Sequence, residues 1–239
     1  MSENDISLRT IGKLPSGSLR ARVYEHLRGL ILANKLAPGQ NLIIDQIAVE
    51  MGVSHTPVRE ALGMLELDGL VTSERNRTPR VTDISPEDVR DVYEMRAVLE
   101  GWAAVKAALS LTDTELSEMG DMLDHAKNEA ARGSYEAHLE SDILLHQKLT
   151  RPIGNAVFQR LFTLVTAQSM RIRSLVEARS SREVEAIIEE HRSILEALKA
   201  RDPDLARARI VAHLSAARDR TLAALRESEY DLAEDRSVN

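Results

Sequence analysis

The chain has 239 residues and no cysteine; 43% of its residues are hydrophobic, 29% charged and 3% aromatic. This composition is typical of a globular protein with a sizeable core, and it excludes disulfide-stabilised folds and thiolate metal sites. The apolar stretches are too short to span a membrane and the N-terminus lacks the pattern of a signal peptide, so we expect a cytoplasmic protein without a membrane partner.

The net charge of −7 argues against a protein that coats nucleic acid through an overall positive potential. The charge is unevenly distributed along the chain, however. Residues 1–80 contain ten basic and nine acidic residues, whereas residues 81–239 contain 21 basic and 29 acidic ones. We therefore expect the two parts of the chain to have different partners.

The first 82 residues predict a flexible arm followed by three short helices. Residues 1–17 are polar and contain glycine and proline, which indicates the arm. Ser18 has the character of a helix cap, and apolar residues at helical spacing follow it as far as Pro38. A second helix is expected from about Asp45 to Met51, and a third from His55 to Gly69, with Ser54 as its cap.

The third predicted helix has one apolar side and one polar side. Its apolar residues recur at helical spacing and should face the core: Val58, Ala61, Leu62 and Leu65. Thr56, Arg59, Glu60 and Gly63 should then face outward.

Two short β-patterned segments, residues 70–72 and 80–82, flank a turn that contains Arg75 and Arg77, and they predict a β-hairpin. Three helices followed by such a hairpin form a winged helix-turn-helix, here residues 18–82. In that arrangement the third helix enters the major groove of DNA.

Residues 85–228 predict an all-α antiparallel bundle of six or seven helices, followed by a tail at residues 229–239. Helix starts are indicated at Ser85-Pro86, at the capping boxes Thr112–Glu115 and Ser180–Glu183, and at Asp202-Pro203. The segment 151–155 contains proline and glycine and should interrupt the helices.

The run of residues 52–62, together with residues 65–71, closely resembles the GntR family of transcription regulators. The resemblance implies that His55, Thr56 and Arg59 contact DNA bases or phosphates. Arg75 and Arg77 lie in the wing, which runs along the DNA in a winged helix-turn-helix, so we expect them to bind DNA as well. His55 stands where the family usually has arginine, and Thr78 stands where the wing usually has glycine. The alternative for Arg59 is an ion pair with Glu66 or Asp68 on a solvated helix surface.

Four polar residues of the helical part should point into its interior. Asp142 and His146 are four residues apart and share one helix face, while His191 and His213 lie on the apolar stripes of two other segments. Taken singly, each is readily explained as a hydrogen-bonded core residue. Together they would be expensive to bury unless they were paired or bound a metal ion.

Residues 86–228 resemble the FCD-type effector-binding domain of the FadR branch of GntR regulators. In many members an aspartate and three histidines hold a divalent ion, which implies that role for Asp142, His146, His191 and His213. Three nitrogens and one oxygen are compatible with Zn, Ni, Mn or Fe.

Arg96 lies on the inward stripe of the first helix of this bundle, so a guanidinium is expected among apolar side chains. One explanation is an internal ion pair, for example with Glu100 four residues later. The family resemblance implies another, in which Arg96 meets the carboxylate of a small organic acid effector.

These expectations combine into a homodimeric, effector-responsive regulator, most often a repressor in this family, that binds a palindromic DNA operator. A rival interpretation is a helical metalloenzyme that acts on a small organic acid, because a metal with open positions can activate water. A third is a purely structural metal with Arg96 in an ion pair. The N-terminal motif has no use in an enzyme, which favours the regulator.

Overall fold

The computed structural model describes residues 18–74, 77–134, 136–174 and 181–237. The contacts divide the chain into two compact units on either side of the Ser85–Pro86 bond, apart from a short segment beginning at Met170 that groups with the first unit. Within these described ranges the chain is mainly helical, with one small antiparallel β-sheet. The predicted fold class is therefore confirmed.

The N-terminal unit is a winged helix-turn-helix. It contains α1 (Leu19–Leu32), α2 (Ile44–Met51) and α3 (His55–Leu67), followed by strands β1 (Val71–Thr72) and β2 (Arg80–Val81). The strands pair in antiparallel fashion, with Val71 opposite Val81. All four apolar residues predicted to face inward from α3 are buried, together with apolar residues of the other elements: Val23, Leu27, Ile31, Ile47, Leu70, Val71 and Val81.

The structure places the two predicted cap residues of this unit, Ser18 and Ser54, at the starts of α1 and α3. Ser18 Oγ accepts a hydrogen bond from the backbone N–H of Ala21 at 3.3 Å, as predicted. Ser54 occupies the cap position of α3, but its side chain makes no capping hydrogen bond. The usual bond to the N–H of the third helical residue is not available here, because that residue is Pro57.

The C-terminal unit consists of six helices in the described residues. They are α4 (Pro86–Ser110), α5 (Asp113–Ala130), α6 (Glu136–Thr150), α7 (Ala156–Ser174), α8 (Ser181–Lys199) and α9 (Pro203–Ser237). The helix α9 extends past residue 228, where the sequence predicted the helical domain to end, because the next nine residues are largely good helix formers such as leucine, alanine, glutamate and arginine.

Side-chain caps mark the starts of α5, α7 and α9, the one at α7 being Asn155 Oδ1, which accepts the N–H of Val157 at 2.9 Å. Thr112 Oγ1 accepts a hydrogen bond from the backbone N–H of Glu115 at 3.2 Å, and the Glu115 carboxylate accepts one from the N–H of Thr112 at 2.8 Å. Asp202 Oδ1 accepts the N–H of Leu205 at 3.0 Å. The predicted cap at Ser180 lies outside the described residues.

Helix α4 is the centre of the bundle, since it packs against α6, α8 and α9. Small residues make these contacts close. Ala103, Ala104, Ala107 and Ala108 are completely buried, and a Cβ atom on Gly101 would lie 3.3 Å from Val211 on α9. The close packing brings polar side chains of α4 against the helices that carry the aspartate and histidines.

No helix in the described part of the chain is long and apolar enough to cross a membrane.

Candidate metal centre and DNA-binding surface

The structure brings the four residues with metal-ligand chemistry together in the interior of the C-terminal unit. Asp142 and His146 come from α6, His191 from α8 and His213 from α9. All four side chains are buried, and one ligand atom from each lies within 4.8 Å of the ligand atoms of the other three. Three helices therefore contribute to one compact cluster of three imidazoles and one carboxylate, which we call the Asp-His cluster.

The atoms that converge in the Asp-His cluster are the three Nε2 nitrogens and the Asp142 carboxylate. His191 Nε2 lies 3.4 Å from Asp142 Oδ1 and 3.4 Å from His213 Nε2. His146 Nε2 lies 3.9 Å from Asp142 Oδ1. A metal with bonds of about 2.0–2.2 Å to nitrogen and oxygen holds its ligand atoms roughly 3–4 Å apart, so the spacing suits one ion.

An unsatisfied nitrogen supports the same fit. His146 Nε2 is buried and has no hydrogen-bond partner among the described residues. A buried polar atom without a partner destabilises the folded state by about 1–3 kcal/mol. A divalent ion in the Asp-His cluster would satisfy this lone pair, and a site of imidazoles and carboxylate suits Zn, Ni, Mn or Fe.

Two glutamates contact the opposite nitrogens of these histidines. Glu100 of α4 forms a hydrogen bond with His146 Nδ1, and Glu190 of α8 forms one with His213 Nδ1 at 2.7 Å. Sequence reasoning missed both contacts, although Glu100 was recognised as a possible ion-pair partner of Arg96. The adjacency of Glu190 to His191 in sequence gave no signal that its partner is His213.

The electrostatics of the site favour a neutral His213 imidazole and a charged Glu100 carboxylate. Burial lowers the pKa of His213 to about 3, although its hydrogen bond with Glu190 acts in the opposite direction. Burial alone would raise the pKa of Glu100, but attraction to Arg96 and His146 outweighs it and lowers that pKa to about 2. Since metals bind neutral imidazole, His213 is in its metal-binding form at neutral pH.

Arg96 is buried, as predicted, and its partners are internal. Its Nε donates to Glu100 Oε1 at 2.7 Å, and its Nη1 donates to Ser169 Oγ at 2.9 Å. The guanidinium also lies 5.5 Å from the centre of the Tyr93 ring. The ion pair with Glu100, one of the two explanations considered from the sequence, is thus present. The role of Arg96 toward an organic acid stays a prediction.

The predicted DNA-contacting residues of α3 are exposed near its N-terminus. His55, Thr56 and Arg59 all face solvent, and His55 Nε2 lies 3.3 Å from Asp45 Oδ1 on α2. Arg59 makes no ion pair with Glu66 or Asp68 in the described part of the chain.

The structure describes one of the two wing arginines that were predicted to bind DNA. Arg77 is exposed, and its Nη1 lies 2.7 Å from Glu74 Oε2, so the guanidinium has a carboxylate partner within the hairpin. Such an exposed pair contributes little to stability. Arg75 lies outside the described residues.

Comparisons with known proteins agree with the two-part architecture. The model of the family described as "Bacterial regulatory proteins, gntR family" matches residues 19–81, and the model of the FCD domain matches residues 91–216.

Two curated relatives and one solved structure illustrate the similarity. The chain is 24% identical to "Uncharacterized HTH-type transcriptional regulator YdhC" of Bacillus subtilis, covering 80% of this chain and 86% of the relative. It is 27% identical to "HTH-type transcriptional repressor RspR" of Escherichia coli, covering 84% of this chain and 87% of the relative. The solved structure of E. coli McbR/YncC shares the fold, with a TM-score of 0.68 and 22% identity over 90% of this chain and 99% of that one.

The winged helix thus matches a family of bacterial regulatory proteins, and the helical domain that follows it matches the FCD domain. The metalloenzyme interpretation is excluded by this match. The chain belongs to the GntR family and is a DNA-binding transcriptional regulator with a C-terminal FCD domain, not an enzyme.

Proposed function

We propose that this regulator is a homodimeric repressor whose operator binding is controlled by a small carboxylate effector, bound at a metal ion in the FCD domain. The convergence of four buried ligand atoms within 4.8 Å carries this proposal. We assign DNA binding to residues 18–82, and effector binding and dimerisation to residues 85–228. The relative RspR is named as a repressor, which supports repression rather than activation for this protein. A regulator of operator DNA acts in the cytoplasm, in keeping with the sequence-based expectation.

DNA recognition is assigned to the exposed start of α3 and to the wing. An exposed arginine and threonine at the N-terminal end of a recognition helix reach base edges and phosphates in the major groove. His55 adds one hydrogen bond there, and its Nε2 lies 3.3 Å from Asp45 Oδ1 on α2. Arg75 and Arg77 are assigned to backbone contacts of the wing.

A second copy of the chain would cover an exposed apolar surface of the FCD domain. Helix α4 exposes large apolar side chains at intervals of three, four and seven residues: Met95, Val98, Trp102 and Leu109. The neighbouring α7 exposes Val157, Leu161 and Leu164 in the same manner, and Trp102 contacts Phe158 of α7 at 5.4 Å between ring centres. Such stripes are typical of helices that pack on another helix pair. A symmetric dimer presents two winged helices, which suits a palindromic operator.

The Asp-His cluster is assigned as the metal site, with Asp142, His146, His191 and His213 as ligands. When bound, a divalent ion supplies positive charge and open coordination positions to which a carboxylate can bind. Arg96 and the proposed ligand His146 both contact Glu100. Arg96 therefore lies next to this site and adds a second positive group. A guanidinium donates paired hydrogen bonds to a carboxylate, so Arg96 and the ion together select a small organic acid. The effector favours one dimer geometry and thereby changes operator affinity.

Replacing Arg59 with alanine is expected to weaken operator binding while the fold stays intact. A base or phosphate contact at this position contributes on the order of 1–3 kcal/mol per half-site. Binding is measured by fluorescence anisotropy on an operator selected from random DNA, at matched salt concentration. Arg90→Ala removes the same charge from an exposed site on α4 and serves as the control. Equal affinity of Arg59→Ala and wild type would contradict the assignment.

Replacing His191 with alanine is expected to abolish metal retention. This variant removes one of four ligands and leaves the other buried polar groups under-satisfied, so thermal stability falls as well. Metal content is measured by elemental analysis after identical dialysis of each protein. The exposed His125 on α5 gives the matched control His125→Ala, which should retain both metal and stability. The site assignment is wrong if wild type and His191→Ala hold equal metal.

Replacing Arg96 with lysine is expected to weaken stabilisation by carboxylates, measured at a metal concentration that keeps the site occupied. Lysine keeps the charge beside Glu100 but cannot donate the paired hydrogen bonds of a guanidinium. A thermal-shift screen of di- and tricarboxylates, hydroxy acids and sugar acids measures the effect, with Arg90→Lys as the control. Operator affinity without effector should not change. If neutral compounds stabilised the wild-type protein and all carboxylates failed, the organic-acid effector would be disproved.

A further inference from the structure

Two buried or half-buried glutamates stand directly behind the Asp-His cluster, and neither is a ligand in the proposed site. Glu100 is completely buried on α4, and Glu190 is half-buried on α8. Each touches one histidine of the cluster at Nδ1, the nitrogen that points away from the other ligand atoms. The two contacts are alike in chemistry although the glutamates and histidines come from four different helices.

The hydrogen bonds determine which nitrogen of each imidazole is free to bind a metal. A carboxylate accepts but does not donate, so the proton of the neutral ring is held on Nδ1. The lone pair is then on Nε2, and Nε2 is the nitrogen of each ring that faces the other ligands in the Asp-His cluster. Without the glutamates, the proton of each neutral ring would distribute between its two nitrogens.

Each of the two carboxylates is itself held by an arginine. Arg220 of α9 donates to both oxygens of Glu190, at 2.7 and 3.0 Å. Arg96 donates to Oε1 of Glu100 at 2.7 Å, which leaves Oε2 for His146. The arginines fix the orientation of the carboxylates and balance their negative charge.

We infer that Glu100 and Glu190 are positioning residues for the divalent ion, acting through the Nδ1–H groups of His146 and His213. Arg96 and Arg220 hold these carboxylates in place. This inference rests on the metal site of the proposed function and adds to it the residues that orient two of its ligands. Outer carboxylates of this kind raise the affinity of a histidine site by about 10- to 100-fold.

A merely structural role of the same glutamates has a different signature. If Glu190 only tied α8 to α9 through Arg220, its removal would lower thermal stability without changing the proton position on His213. The test therefore needs a readout of the imidazole as well as of the metal.

The test uses Glu190→Ala and Glu190→Gln in the full-length protein. Glu190 is only half-buried, whereas Glu100 is completely buried, so a substitution at Glu190 disturbs the core less. Alanine removes the acceptor, whereas glutamine keeps an oxygen that can accept the Nδ1–H without the charge. Affinity for Co²⁺ is measured by competition with a chelator, and the protonated nitrogen of His213 is identified by ¹⁵N NMR of the metal-free protein. The exposed neighbour on the same helix provides the control Glu189→Ala.

We expect Co²⁺ affinity to fall about 10- to 100-fold in Glu190→Ala and less in Glu190→Gln, with wild-type affinity in the control. The wild-type His213 proton should lie on Nδ1, and it should redistribute toward Nε2 in Glu190→Ala. Affinity within twofold of wild type, or an unchanged proton position in Glu190→Ala, would overturn the inference. Failure of the wild-type protein to bind Co²⁺ would instead defeat the proposed metal site, and the NMR readout keeps the two failures distinct.

Discussion

The burial of a carboxylate beside three imidazoles is the constraint on which the C-terminal unit depends. Asp142 and its three histidine neighbours are each less than one-tenth exposed, so water satisfies little of their polarity. Polar groups buried in this way destabilise the folded state unless each has a partner of suitable charge. Because the four residues come from α6, α8 and α9, whatever satisfies them also joins these three helices. A bound divalent ion would thus stabilise the bundle as well as form the effector site.

The same constraint extends outward through the two glutamates. Glu100 links Arg96 to His146, so the guanidinium proposed to meet the effector shares a carboxylate with a proposed metal ligand. An effector carboxylate that engages Arg96 would alter this shared contact and with it the surroundings of the metal. By reciprocity, the metal would then change effector affinity by the same factor. Helix α4 also carries the exposed apolar stripe assigned to the dimer, which places the site and the assigned interface on one helix.

Much of the fold could be predicted from the sequence because it follows from local signals. The apolar stripe of α3, the capping box at Thr112 and the start of α9 at Pro203 each depend on residues only a few positions apart. Ser54 occupies the predicted cap position of α3, but Pro57 removes one of the two N–H groups that its side chain could accept. The end of α9 was misplaced because no glycine or proline marks it.

The candidate site was predictable only in part. Helical spacing placed each of the four cluster residues on an inward face, and the family resemblance suggested that they belong together. The contacts of Glu100 with His146 and of Glu190 with His213 join residues 46 and 23 positions apart on different helices. No pattern of neighbouring residues predicts which helix faces pack together. The contacts of Glu100 and Glu190 with the histidines could therefore be found only in the folded structure.

The central claim is that the Asp-His cluster binds a divalent ion through three imidazoles and one carboxylate. X-ray absorption spectroscopy of the protein loaded with one equivalent of Zn²⁺ tests it most directly, since it reports the number and type of the bound atoms. The proposed site predicts three imidazole nitrogens and additional oxygen at about 2.0–2.2 Å. A spectrum without imidazole scattering, or zinc that is lost completely on dialysis, would contradict it.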